Sequence, residues 1–232
     1  MSATRRTPAI IYSIFPKITP FRAGHLPVCG APPLAPVPDG RKGMPKAAAG
    51  PPKLIRPVVL VGMMGAGKTA VGTQLARLLR VGFLDSDTEI ERAANRSISE
   101  IFARDGEPFF RARESEVLAR LLVGPPAILS TGGGAFMSES NRAMIAERGA
   151  SVWLKADLDL LWQRVRAKST RPLLRTADPL GTLRALLATR APVYALAQVV
   201  VDAEPGLSVG GMARKVQAAL QATPGVFAGQ GA

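Results

Sequence analysis

Residues 58–69 read VVLVGMMGAGKT. A four-residue apolar run leads into a glycine-rich segment of the form G-x-x-x-x-G-K-T, and the stretch from Ala70 to Arg80 that follows has a helical pattern. In this strand, loop and helix setting the glycines let the backbone curl with its N–H groups pointing inward, and the helix N-terminus adds positive potential. Lys68 then supplies a mobile charge for the β- and γ-phosphates of a nucleotide, and Thr69 offers a hydroxyl to Mg²⁺. The segment predicts nucleotide binding and leaves the reaction open.

Working outward from it, short apolar runs near 58–61, 82–85, 126–130, 151–155 and 198–202 alternate with helical patterns. That alternation predicts a parallel sheet covered on both faces, whose strand carboxyl ends open onto a ligand crevice. The run at 82–85 ends in Asp85, followed by Ser86 and Asp87, and the expected sheet sets this turn beside the phosphate loop. One carboxylate can then reach Mg²⁺ through water and the other an acceptor hydroxyl; capping of the next helix by Asp87 or Ser86 is the competing reading. The run at 126–130 leads into Thr131, Gly132, Gly133 and Gly134, either a plain loop or a backbone that a ligand approaches closely.

Two segments fall outside the alternation. Residues 88–123 are too long for one crossover and read as a helical substrate-binding insertion; residues 168–178, basic and Pro-containing, read as a lid. Within the insertion Arg111 and Glu114 are spaced i, i+3, the spacing of a surface ion pair. Arg111 gains a second meaning if the substrate carries a carboxylate, which a guanidinium fork grips bidentately. Arg171 in the lid and Arg190 at a helix end can supply positive charge around a transferring phosphoryl group, or stand solvated. Arg164 and Arg166, just ahead of the lid, are ambiguous in the same way.

Composition narrows the chemistry. The 232 residues accommodate one catalytic domain and a tail, with no repeat of 20–50 residues. The net charge of +13 is concentrated: residues 1–56 carry nine basic residues and one acid, leaving +5 for the rest. That first segment also holds 11 of the 20 prolines and reads as a disordered extension. A transit peptide and translation from Met44 are both open readings of it. Cys29 is the only cysteine, so no intrachain disulfide forms. His25 is the only histidine, which removes Ser-His, Cys-His and His-cluster metal chemistries and leaves carboxylates, lysine and arginine to do the work. No apolar run approaches 18 residues, so no membrane-spanning helix is expected. A nucleotide-binding regulatory or nucleic-acid-binding module is the other class the basic tail suggests, but the core lacks a basic motif interleaved with aromatics for stacking bases.

In order along the chain, GMMGAGKT, FLDSD, FFRARE, TGGGA, RPLL and RAPVY make residues 57–221 resemble the shikimate kinases, small P-loop proteins of the nucleoside-monophosphate-kinase-like branch. The resemblance implies a three-layer α/β fold with a five-stranded parallel sheet, the insertion at about 88–123, the lid at about 168–178, and a flexible C-terminal tail over 222–232. It implies transfer of a phosphoryl group from ATP to the 3-hydroxyl of shikimate, in chorismate and aromatic amino-acid biosynthesis. By the same likeness Gly65, Ala66, Gly67, Lys68, Thr69 and Ala70 hold the ATP phosphates, Arg171 closes onto ATP, and Arg164 is placed to stack on adenine. Thr69 and, through water, Asp85 hold one Mg²⁺ per ATP. Lys68 stabilises the transferring group, and Asp87 orients the acceptor hydroxyl and takes its proton. Arg111 and Arg190 clamp the shikimate carboxylate, with Gly132, Gly133 and Gly134 adding backbone contacts. The strand at 126–130 lacks the terminal Asp of a typical Walker B strand, as expected for a family that uses the D-x-D strand for metal support. The expected partners are shikimate and ATP alone, without nucleic acid or membrane, for a monomer in the cytoplasm; organelle import through the extension is the alternative. A gluconate-type kinase is the competing enzyme reading.

Overall fold

The computed structural model describes residues 52–166, 174 and 176–229. Strand β1 (Val58–Val61) is buried along its whole length, the pattern of a central strand covered on both faces. It is flanked in parallel by β3 (Ala127–Ser130) and β4 (Ala150–Lys155), with β2 (Gly82–Asp85) beyond β3 and β5 (Val199–Asp202) beyond β4. The order is therefore β2-β3-β1-β4-β5, five parallel strands as expected. One detail differs from the sequence reading: β2 does not lie next to the strand that feeds the phosphate loop, because β3 intervenes. Register restores the proximity, since Ser130 faces both Leu60 and Asp85, so β1, β2 and β3 end at one level.

Helix α1 (Lys68–Leu79) returns from the phosphate loop and packs against β2, β3 and α7 (Val209–Gln221), burying Val71, Leu75, Ala76 and Leu79. Helix α2 (Ser86–Ala94) and the long α3 (Ile98–Leu122) form the expected excursion. A capping box, with Ser97 and Glu100 bonding each other's backbone N–H, starts α3. The helix is broken at Gly106, whose φ of 80° departs from the helical region. Pro108 consequently stands in the first turn after the break, where its missing N–H costs nothing. The second half of α3 is thereby re-aimed, burying Phe110 and Glu114. Helices α4 (Glu139–Arg148), α5 (Leu158–Val165) and α6 (Pro179–Tyr194) complete the described elements, with a 3-10 turn at Ala135–Met137 between β3 and α4.

Both expected edges of the domain move outward. Leu54 forms an antiparallel bridge with Phe227, the Ile55 N–H donates to the Val226 carbonyl at 3.0 Å, and the Ala228 N–H donates to the Lys53 carbonyl at 2.9 Å. Leu54, Val226 and Phe227 are buried, so the core begins before residue 57 and the segment after 221 is not simply a loose tail. The reason is hydrophobic: each strip alone is too short to bury its side chains, and the two are paired far apart in sequence. We expect Phe227→Ala to cost about 3 kcal/mol of unfolding free energy, measured by urea denaturation; a loss under about 0.5 kcal/mol would make the strip peripheral. Residues 1–51 and 230–232, and with them most of the expected extension, lie outside the described residues.

Candidate active site

Gly67 adopts φ 95°, a left-handed conformation closed to most side chains, and from it α1 starts without a side-chain cap. The first turn of α1 therefore presents backbone N–H groups to the loop, the arrangement that receives phosphate. The Lys68 ammonium lies back across the loop, donating to the carbonyls of Gly62 at 2.8 Å and Met63 at 3.1 Å. Arg164, reaching from α5, donates to the carbonyls of Gly65 and Ala66 at 3.3 and 3.4 Å. Gly65, Ala66, Gly67, Lys68 and Arg164 line an open cleft of about 440 Å³, together with Asp85, Asp87, Gly132 and Gly133. Its other wall comes from the segment after β5 and the start of α7, including Glu204, Leu207 and Met212. Arg166 is exposed and does not line the cleft.

Asp85, Ser86 and Asp87, where β2 passes into α2, divide their tasks in a way that residue type alone left undecided. Asp85, not Asp87 or Ser86, caps α2: its Oδ1 accepts from the Asp87 N–H at 3.1 Å. Its Oδ2 accepts from the Thr69 hydroxyl at 3.2 Å. A hydroxyl and a carboxylate thus meet beside the phosphate loop, an all-oxygen pair that fits Mg²⁺, an ion that binds through few protein groups and completes its shell with phosphate and water. Ser86 is buried and its hydroxyl accepts from the Gly132 N–H at 3.3 Å, tying the β2 turn to the glycine segment. Asp87 is left to face the cleft. Its Oδ1 is buried without a protein partner, and burial, reinforced by the neighbouring Asp85 charge, raises its pKa above the ordinary carboxylate value. Lys68 and Arg111 pull the other way.

The glycines at 132–134 are set by what stands against them. A methyl group at Gly132 would come 2.8 Å from Asp87 Oδ1 and 3.0 Å from Glu114 Oε1. At Gly133 it would meet Arg190 Nη1 at 3.3 Å, and at Gly134 the Arg111 guanidinium carbon at 2.8 Å. Residues from α2, α3 and α6 therefore converge on three consecutive positions, with no room for side chains between them. Tyr194, one helical turn after Arg190, is fully buried and its hydroxyl donates to the Gly133 carbonyl at 2.5 Å. Burial also raises the pKa of Tyr194, keeping it a neutral donor.

The Arg111–Glu114 pair forms at 2.8 Å, but it is no ordinary surface pair: the Glu114 side chain is 2% exposed. Burial raises its pKa, while Arg111 and Arg190 favour the charged form. Glu107 holds the other side of Arg111 at 3.0 Å, so the guanidinium is gripped from both sides along α3. Sequence reasoning singled out Glu114 for its spacing and quoted Tyr194 within RAPVY without giving it a role; R-x-x-x-Y at i, i+4 on α6 is the signal available for the latter. Arg171 lies outside the described residues. Of the expected lid only Leu174 and residues 176–178 are described, and there Asp178 caps α6 by accepting from the Gly181 N–H at 2.9 Å.

Comparison with known proteins bears on this geometry. A family model described as shikimate kinase matches residues 64–221. A shikimate kinase of Cereibacter sphaeroides is 64% identical over 189 residues, which cover 82% of this chain and 91% of the relative. One of Ruegeria pomeroyi is 64% identical over 167 residues, covering 72% of this chain and 86% of the relative. Among solved structures, a shikimate kinase from Acinetobacter baumannii in complex with shikimate matches with a TM-score of 0.69 and 40% identity, over 72% of this chain and 94% of that one.

Proposed function

The chain belongs to the shikimate kinase family, and from that membership we infer that it transfers the γ-phosphoryl group of ATP to the 3-hydroxyl of shikimate, giving ADP and shikimate 3-phosphate for chorismate and aromatic amino-acid synthesis. The observation that carries the acceptor assignment is the convergence of Asp87, Arg111 and Arg190 on the three glycines beside the phosphate loop. An acceptor bearing a carboxylate and ring hydroxyls matches it, with guanidiniums for the one and a carboxylate for the other.

In this reading the backbone at 65–70 receives the ATP phosphates and Lys68 moves from the loop carbonyls onto the transferring oxygens, where its charge counts most in the transition state. Asp87 orients the acceptor hydroxyl and takes its proton as the oxygen attacks phosphorus. Arg111, fastened by Glu107 and Glu114, and Arg190 hold the carboxylate, so the ring is aligned before reaction. Arg171 closes onto ATP. One Mg²⁺ per ATP, held by Thr69 and through water by Asp85, would draw negative charge from the β- and γ-phosphate oxygens. The reading extends to a monomer working in the cytoplasm; among the described residues no helix is long and apolar enough to cross a membrane.

The test is ADP release by the full chain in Mg-ATP with shikimate, with gluconate and with no acceptor, the product identified by mass spectrometry. Release that depends on shikimate and yields the monophosphate supports the assignment. Release that is indifferent to shikimate or prefers gluconate overturns it. Arg111→Lys keeps a charge beside the buried Glu114 but loses the fork, so we expect the shikimate KM to rise about tenfold with the ATP KM unchanged. An unchanged shikimate KM would remove Arg111 from the carboxylate clamp.

A further inference from the structure

No residue of helix α4 lines the cleft, yet the helix governs the segment on which the proposed shikimate-binding residues converge. The Asn141 side chain is 1% exposed, and its amide donates to the Ala135 carbonyl at 2.9 Å. The next residue, Arg142, donates from Nη1 to the carbonyls of Phe136 at 2.9 Å and Met137 at 2.8 Å. Two adjacent side chains therefore take up all three carbonyls of the 3-10 turn Ala135–Met137.

That turn is itself bonded to the glycine segment. The Ala135 N–H donates to the Gly132 carbonyl at 3.2 Å, and the Met137 N–H donates to the Gly134 carbonyl at 3.0 Å. Three bonds from α4 thus hold the turn, and the turn holds Gly132 and Gly134, against which Asp87, Glu114 and Arg111 are packed. A segment of three glycines has little stiffness of its own, since no side chain limits its backbone. Its position must be imposed from outside.

We propose that Asn141 and Arg142 are positioning residues for the acceptor, setting through the 135–137 turn the place of the glycine segment relative to Arg111 and Asp87. The proposal rests on the reading of 132–134 as the shikimate-binding segment. Release of the turn lets the segment shift against the Arg111 guanidinium, and a displacement of an ångström is felt in substrate alignment. None of the three bonds from α4 reaches the phosphate loop, whose position is set by β1 and α1.

The experiment measures kcat and both KM values, with Tm alongside, for Arg142→Met, which keeps the aliphatic stem and removes the donors, and for Arg142→Lys, which restores a donor. In R142M the shikimate KM should rise about tenfold while the ATP KM stays within about twofold, and R142K should recover most of the loss. Asn141→Asp, isosteric but with an oxygen facing the Ala135 carbonyl, should raise the shikimate KM in the same way and stands in if R142M does not fold. A lowered Tm with an unchanged shikimate KM, an equal rise in both KM values, or no recovery in R142K overturns the proposal. Wild-type protein that turns over ATP without dependence on shikimate overturns the underlying assignment instead, so the two failures are distinct.

Discussion

Asp87→Asn should lower kcat about 10³-fold while leaving ATP binding within about twofold. The amide preserves the shape of the side chain and removes its capacity to take a proton. The site around Asp87 is also costly for a charge: Oδ1 is buried without a protein partner, Asp85 is close, and the pKa is raised above the ordinary carboxylate value. A carboxyl whose folded-state pKa is raised stabilises the fold when protonated and loses that contribution as pH rises through the folded value. Ionising the wild-type side chain carries a cost that the neutral amide avoids. D87N should therefore have a higher Tm than wild type at pH 7, and the gap should narrow as pH falls through the raised pKa. The same shift places the acidic limb of the wild-type kcat/KM profile above the ordinary carboxylate range. Turnover within tenfold of wild type would remove Asp87 as the base, and a lower Tm at pH 7 would show that burial is not the dominant influence on this group.

Lys68→Met should reduce kcat by about 10³-fold, roughly 4 kcal/mol of transition-state stabilisation, and weaken ATP binding as well. Methionine fills similar space, so the loss is chiefly of charge. In the structure the ammonium spans the loop carbonyls of Gly62 and Met63, an arrangement that holds it within the loop before nucleotide arrives. The variant also forfeits these two bonds, at about 1 kcal/mol each, so a modest fall in Tm accompanies the kinetic loss. Steady-state turnover with ADP titration by calorimetry separates the two. A kcat within tenfold of wild type would mean that backbone N–H groups and the remaining arginines carry the charge without Lys68.

What could be read in advance follows the distance over which each feature acts. The phosphate loop, α1 and the five strands declare themselves because their signals are contiguous: an apolar run, glycines where the backbone turns, and a lysine–threonine pair at the helix start. Asp85 and Asp87 stand at a strand end, where an open sheet keeps its crevice. Residue type alone did not divide their labour, which only the family resemblance assigned, because either residue has cap chemistry and only the built turn places the Asp85 oxygens on the Asp87 N–H and the Thr69 hydroxyl. The burial of Glu114 was hidden in the same way. Its i, i+3 spacing is that of a surface pair, and the break at Gly106, which swings the second half of α3 inward, changes its meaning.

The sequence by itself determined the nucleotide loop, the parallel α/β sheet and the set of charged residues available for chemistry, since these depend on local periodicity and on residue type. Tertiary structure alone decided that β3 separates β1 from β2, that Leu54 pairs with Phe227, and that Asp87, Arg111 and Arg190 meet on three glycines held from behind by α4. Each of these joins segments tens of residues apart or more, where the energy comes from mutual burial and from bonds between backbones. No short stretch of chain carries that information, because neither partner of such a contact can be stabilised until the other is in place.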